Sequence, residues 1–209
     1  REALGHHIGY LPQGVELFEG TIAENIARFD PEVRSEDIVA AAIAAGAHDL
    51  ILRFEKGYET HIGEAGSALS AGQRQRIGLA RALYGNPFLV VLDEPNANLD
   101  SEGETAVVNA IMSVRQRGGI AIVIAHRPSA IGVVDLVLMM DAGRAKAFGP
   151  RDEVLAKVLK PAQRSGGHKG FPVTGHGMTS LRVVANPQQE PNRAETGAIK
   201  ETEISDVEH

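Results

Sequence analysis

Residues 69–100, LSAGQRQRIGLARALYGNPFLVVLDEPNANLD, decide how the rest of the chain is read. They hold three consecutive pieces: a helix opening at Ser70, an apolar strand ending in two carboxylates, and a polar turn closing on Asp100. Ser70 is a good N-cap, and Gln73, three residues on, makes a capping box. Ile77, Ala80, Leu83 and Tyr84 fall on one face at helical spacing, with Arg74, Gln75 and Arg81 directed elsewhere. Asn86-Pro87 ends the helix. A capped amphipathic helix accounts for these residues without any ligand. Gly72 offers a second reading. A glycine beside a helix N-terminus lets a ligand approach the backbone, where free N–H groups and the positive dipole end suit a phosphate.

Residues 88–92, FLVVL, are apolar without alternation, the pattern of a strand buried on both faces of a parallel sheet. Asp93 and Glu94 follow at its carboxyl end, where ligands sit in open α/β sheets. Adjacent carboxylates repel, so this position calls for a cation or solvent. Asp93 as a cap of the next turn is the structural alternative. The chemical reading has Asp93 holding Mg²⁺ and Glu94 polarising a water.

Downstream, residues 101–117 form an amphipathic helix with Val107, Val108, Ile111, Met112 and Val114 on its buried side, stopped by Gly118-Gly119. Residues 120–124, IAIVI, are a second doubly buried strand. It delivers His126 to the sheet edge that holds Glu94. Residues 136–140 and 144–148 flank a turn at Asp141-Ala142-Gly143 and read as a hairpin. A short helix opens near Pro150 and runs through Leu159. From Pro161 to His209 large apolar residues become sparse, and we expect a mostly disordered tail. A strand or docking segment over residues 179–184 is the alternative.

Upstream, residues 8–11 read as a short strand leading to a turn at Pro12-Gln13-Gly14. Residues 15–68 show helix signals with no strand between them. Thr21 and Glu24 make a capping box. Ser35 caps a helix carrying Ile38, Ala41, Ala42 and Ala45. A shorter helix covers residues 49–54. His48 and His61 stand alone, without metal-ligand spacing.

The 209 residues suffice for one domain with a real core. The net charge of −6 comes with no dense basic run, so no electrostatic footprint for nucleic acid is present. There are no cysteines, which excludes disulfides and thiolate metal sites. No apolar run approaches the ~18–20 residues of a bilayer span.

Taken in order, five motifs resemble the ATP-binding-cassette (ABC) ATPases. LSAGQ looks like their signature, FLVVLDE like Walker B, and NANLD like the D-loop. IGYLPQ at residues 8–13 looks like the Q-loop, and IAHR at residues 124–127 like the switch-histidine loop. The resemblance implies an α/β fold: a P-loop NTPase-like parallel sheet with helices, plus a helical signature subdomain. It implies a partial ABC ATPase domain over residues 1–160, with a helical subdomain at 15–85 and a catalytic core part at 86–160. The tail is then 161–209. No G-x-x-x-x-G-K-[ST] occurs in the 209 residues. We therefore expect the C-terminal part of such a domain, without its first strands and phosphate loop, and little ATP turnover by residues 1–209 alone.

The family's roles then transfer by motif. Glu94 and His126 would be catalytic. Asp93 and Gln13 would hold Mg²⁺. Gln13, Ser70, Ala71, Gly72, Gln73 and Asp100 would contact ATP, the signature residues reaching ATP held by another subunit. The implied cofactors are ATP and Mg²⁺. The implied partners are a second ABC ATPase domain in a head-to-tail dimer and an exporter membrane domain. LFEGTIAENI, at residues 17–26, resembles the exporter branch, where this region meets the membrane domain. The asparagines of DEPNANLD, at 96 and 98, resemble PrtD-like exporters of type I secretion. That branch implies a membrane fusion protein, an outer-membrane channel, no nucleic acid, and a place on the cytoplasmic face of the bacterial inner membrane. Two other functions fit the residues less well. One is a non-transport ABC ATPase acting on DNA. The other is a non-catalytic module that pairs with an intact cassette and regulates it.

Overall fold

The computed structural model describes residues 2–125, 128–159 and 181–185. The chain opens with a helical turn, α1 (Glu2–Gly5), and a short strand, β1 (Ile8–Leu11). Three short helices follow: α2 (Ile22–Ile26), α3 (Ser35–Ala44) and α4 (His48–Leu52). Then come α5 (Ala71–Leu83), β2 (Leu89–Asp93), α6 (Ser101–Gln116) and β3 (Ile120–Ala125). The remainder is α7 (Pro128–Ile131), β4 (Leu136–Asp141), β5 (Arg144–Pro150), α8 (Arg151–Leu159) and β6 (Leu181–Ala185).

Local chemistry sets several boundaries. At α2 the expected capping box forms: the Thr21 hydroxyl accepts from the Glu24 N–H at 3.1 Å, and the Glu24 carboxylate accepts from the Thr21 N–H at 2.7 Å. At α3 the cap is Arg34, not Ser35. Arg34 takes the extended backbone of a cap and ties itself to Asp37 with a 2.8 Å hydrogen bond, so Ser35 becomes the first helical residue. The β4–β5 hairpin turns through Ala142 and Gly143, both at positive φ (46° and 74°), as a tight hairpin requires.

The sheet order is β1-β2-β3-β6-β4-β5. The first three strands are parallel, with Leu11 opposite Leu92 and Asp93 opposite Ile124. The expectation that β2 and β3 are buried on both faces holds for one face only. Val90, Leu92, Ala121, Val123 and Ala125 are buried, while Val91, Ile120, Ile122 and Ile124 are half-buried. On α6, Val107, Ala110, Ile111 and Val114 are buried, but Met112 is exposed and Val108 half-buried. Met112 lies a full helical step of ~100° from Ile111, which carries it off the buried stripe.

β6 lies within the region read as a mostly disordered tail. It runs antiparallel to both neighbours, with Val183 opposite Val123 of β3 and Val137 of β4. Leu181–Ala185, LRVVA, has the β-branched content that strand pairing favours, inside an otherwise polar stretch. One buried cluster runs from Ile22, Ile26 and Ile51 through Ile77 and Leu79 to Val90, Leu92, Val107 and Val123, so helices and sheet share a core. No described helix is long and apolar enough to cross a membrane.

Candidate nucleotide site

Because β1, β2 and β3 are parallel and in register, their carboxyl ends lie side by side. Gln13 follows β1 and is exposed; Asp93 closes β2, and Glu94 follows, both half-buried. Glu94 extends the ladder by one bond, its N–H donating to the Ile124 carbonyl at 2.8 Å. There the chain breaks sharply. Glu94 has φ 47°, and its carbonyl accepts from the Ala97 N–H at 3.0 Å. A non-glycine residue in the left-handed region is sterically disfavoured, and such residues cluster at functional sites. His126 lies outside the described residues.

A second group of expected residues gathers at the N-terminus of α5. Ser70 caps it as expected: its hydroxyl accepts from the Gln73 N–H at 3.2 Å, and the Gln73 amide oxygen accepts from the Ser70 N–H at 2.8 Å. Ala71 is exposed, while Gly72 and Gln73 are half-buried. Gly72 has a structural reason beyond ligand approach. A Cβ there would lie 2.9 Å from the Asn98 carbonyl oxygen, so its absence lets the turn after β2 pass against the helix.

Asp100 closes that turn. Its Oδ1 accepts from the Gly103 N–H at 2.8 Å, capping α6, and from the Arg76 guanidinium at 2.6 Å. These contacts, the Gly103 bond first, hold its carboxyl below the usual carboxylate range. Arg76 also donates to the Gly46 carbonyl at 3.3 Å and pairs with Glu102 at 3.5 Å. Arg76 was missed in the sequence. So was Gln75, expected to face away but buried, with its amide donating to the Pro95 carbonyl at 3.2 Å. α5 is buried nearly all round because α2 and α3 cover one side and the sheet another. The available signal was the acidic pair Asp100 and Glu102, which called for a distant cation.

The donor set suits Mg²⁺. Magnesium keeps several waters and takes one or two carboxylates with substrate phosphates, not a dedicated protein cage. Asp93, Glu94 and the Gln13 amide supply such hard oxygens. Among the described residues no group of three or more acidic, histidine or cysteine side chains forms a closed metal cage. The α5 N-terminus suits a phosphate, since the first N–H groups of a helix have no intrahelical partner.

A separate groove of about 550 Å³ opens beside β1, lined among others by Tyr10, Pro12, Phe18, Arg28, Phe29 and Arg81. Phe18 is 65% exposed. Its ring meets Phe29 edge-on at 6.1 Å, and the Arg81 guanidinium lies 6.0 Å from its centroid.

Three parallel strands with acids at their carboxyl ends, beside a helical layer, define an α/β class of domain that takes ligands at that edge. Residues 1–97 match the ABC transporter family. The chain is 68% identical over 162 residues to the type I secretion system ATP-binding protein PrsD of Rhizobium meliloti, covering 78% of this chain and 28% of that one. It is 43% identical over 152 residues to an ATP-dependent lipid A-core flippase of Saccharophagus degradans, covering 73% and 26%. Its fold matches a bacterial Atm1-family ABC exporter solved with ATP bound, with TM-score 0.67, 32% identity, and 78% and 29% of the two chains covered. These matches support an ABC ATP-binding domain resembling PrtD-like proteins. The chain spans less than a third of the length of these relatives.

Proposed function

We propose that this domain hydrolyses ATP within an ABC exporter that drives type I protein secretion. The observation that carries this reading is the strand register, which brings Gln13, Asp93 and Glu94 to one sheet edge. Phosphoryl transfer needs positioning and electrostatics more than covalent chemistry from the protein. Glu94 orients the attacking water and takes its proton. Asp93 and Gln13 would hold Mg²⁺, and His126 would contact the γ-phosphate. When bound, the metal offsets charge on the phosphates. Ser70, Ala71, Gly72 and Gln73 turn their helix N-terminus toward ATP on a second cassette, so the working unit is a head-to-tail dimer. Asp100 ties the turn after β2 to α5 and α6 at that interface.

The groove with Phe18 at its rim receives the exporter's membrane domain. An exposed aromatic pair beside a cation is the kind of surface that anchors a partner segment. A membrane fusion protein and an outer-membrane channel complete the assembly, with this domain at the cytoplasmic face of the inner membrane. The similarity to PrsD supports the secretion assignment.

The test is Glu94→Gln in the complete exporter. We expect steady phosphate release to fall by about 10²–10⁴-fold, the usual worth of a general base, while ATP still binds. Near-normal turnover would remove Glu94 from the chemistry and this mechanism with it.

A further inference from the structure

Arg28 and Phe29 are consecutive non-glycine residues in the left-handed region, at φ 58° and 57°. The sequence contains no glycine there to ease the turn, and such backbone persists only where its surroundings enforce it. The turn presents two side chains. Phe29 packs against Phe18 at the groove's rim. Arg28 uses every nitrogen of its guanidinium on main-chain carbonyls. Nε donates to Arg81 at 3.0 Å and Nη2 to Ala82 at 3.3 Å, on the last turn of α5. Nη1 donates to Gly5 and Ile8, both at 3.1 Å, at the end of α1 and the start of β1. A cation at the carboxyl end of a helix also meets the favourable end of its dipole.

Of these elements, β1 and α5 are already in backbone contact. A Cβ on Gly9 would stand 1.9 Å from the Ala82 carbonyl oxygen. Arg28 therefore fastens the rear of both. Their front ends carry the groups assigned above to the nucleotide: β1 leads to Gln13, and α5 begins after Ser70. Arg28 also lines the groove.

We propose that Arg28 is a positioning residue that couples occupancy of the Phe18–Phe29 groove to the placement of Gln13 and of the Ser70 end of α5. The proposal rests on the reading of that groove as the membrane-domain site. An occupant that presses on Phe18 moves Phe29, and Phe29 shares its strained turn with Arg28. Lysine cannot replace the fork, because a point ammonium cannot span four carbonyls on three elements.

The experiment uses the complete exporter in lipid nanodiscs with MgATP, comparing wild type, Arg28→Lys, Phe18→Ala and the double variant. We expect Arg28→Lys to melt within a few degrees of wild type, with kcat reduced several-fold and KM nearly unchanged. Phe18→Ala lowers kcat alone but not in the Arg28→Lys background, whereas its effect on melting adds to that of Arg28→Lys. Unchanged kcat in Arg28→Lys, or kcat losses that multiply in the double variant, would overturn the coupling and leave a structural clamp. Arg28→Gln gives the same comparison if the lysine variant loses its fold. Phe18→Asp keeps the two readings separate. Its full assembly with the membrane domain would refute the docking surface itself, irrespective of the kcat results at Arg28.

Discussion

Asp100 is 68% exposed at its side chain yet accepts from both the Gly103 N–H and Arg76. Its neighbour in that pair is nearly buried, so the carboxylate serves Arg76 as much as the helix cap. The carboxyl is held below its ordinary value, first by the Gly103 bond and then by Arg76. A depressed folded-state value means stabilisation that is complete above the unfolded value of about 3.9 and lost as pH falls through the lower folded one. Asp100→Asn keeps a capping oxygen but no charge. We expect the urea midpoint of wild type to exceed that of the variant at pH 7, and the gap to close as the solution is taken below about pH 4. A gap that stays constant down to pH 3 would show that the charge on Asp100 adds nothing to the cap.

At the scale of elements, β1 and α5 depend on each other through missing atoms. The virtual Cβ of Gly9 collides with main chain, which cannot swing aside as a side chain can. Gly9→Ala should therefore cost about 3 kcal/mol or more, the upper end of overpacking penalties, by urea denaturation. Gly5→Ala, which meets nothing within 4 Å, is the control and should stay within about 0.5 kcal/mol of wild type. Equal effects would mean that the close approach carries no strain. The same pair of elements shows what sequence could reveal. Ser70 with Gln73 and Thr21 with Glu24 were legible because a capping box is local, and the Ala142-Gly143 turn for the same reason. The strand read over 88–92 was legible from composition, although it runs over Leu89–Asp93, leaves Phe88 outside and exposed, and has only one fully buried face. Arg76, Arg28 and the cap at Arg34 were not, since their partners lie elsewhere in space or compete with a better-looking serine. Gly72 was singled out for a ligand, while the contact that most restricts it is Asn98.

Across the whole molecule, the sheet is parallel apart from β5 and β6. Since β6 is antiparallel to both β3 and β4, those two strands run parallel to each other with one strand between them. β6 thus covers the edge of β3, whose sequence IAIVIA is wholly apolar. An apolar strand with an open edge is a template for pairing with other chains. Val183 is the middle of β6 and pairs on both sides, which makes it the sensitive position. Proline has no N–H to donate and is tolerated only at sheet edges or bulges. For residues 1–209, Val183→Pro and deletion of 161–209 should therefore act alike: both lower the melting temperature and shift sedimentation toward self-associated species. Monomeric behaviour with unchanged melting in both would mean that pairing by β6 adds nothing to the sheet. Loss in the deletion but not in Val183→Pro would assign the effect to other tail residues. The comparison bears on function because β3 ends one residue before His126. A β3 edge drawn into pairing with another chain would displace the segment that the proposed mechanism needs at the γ-phosphate.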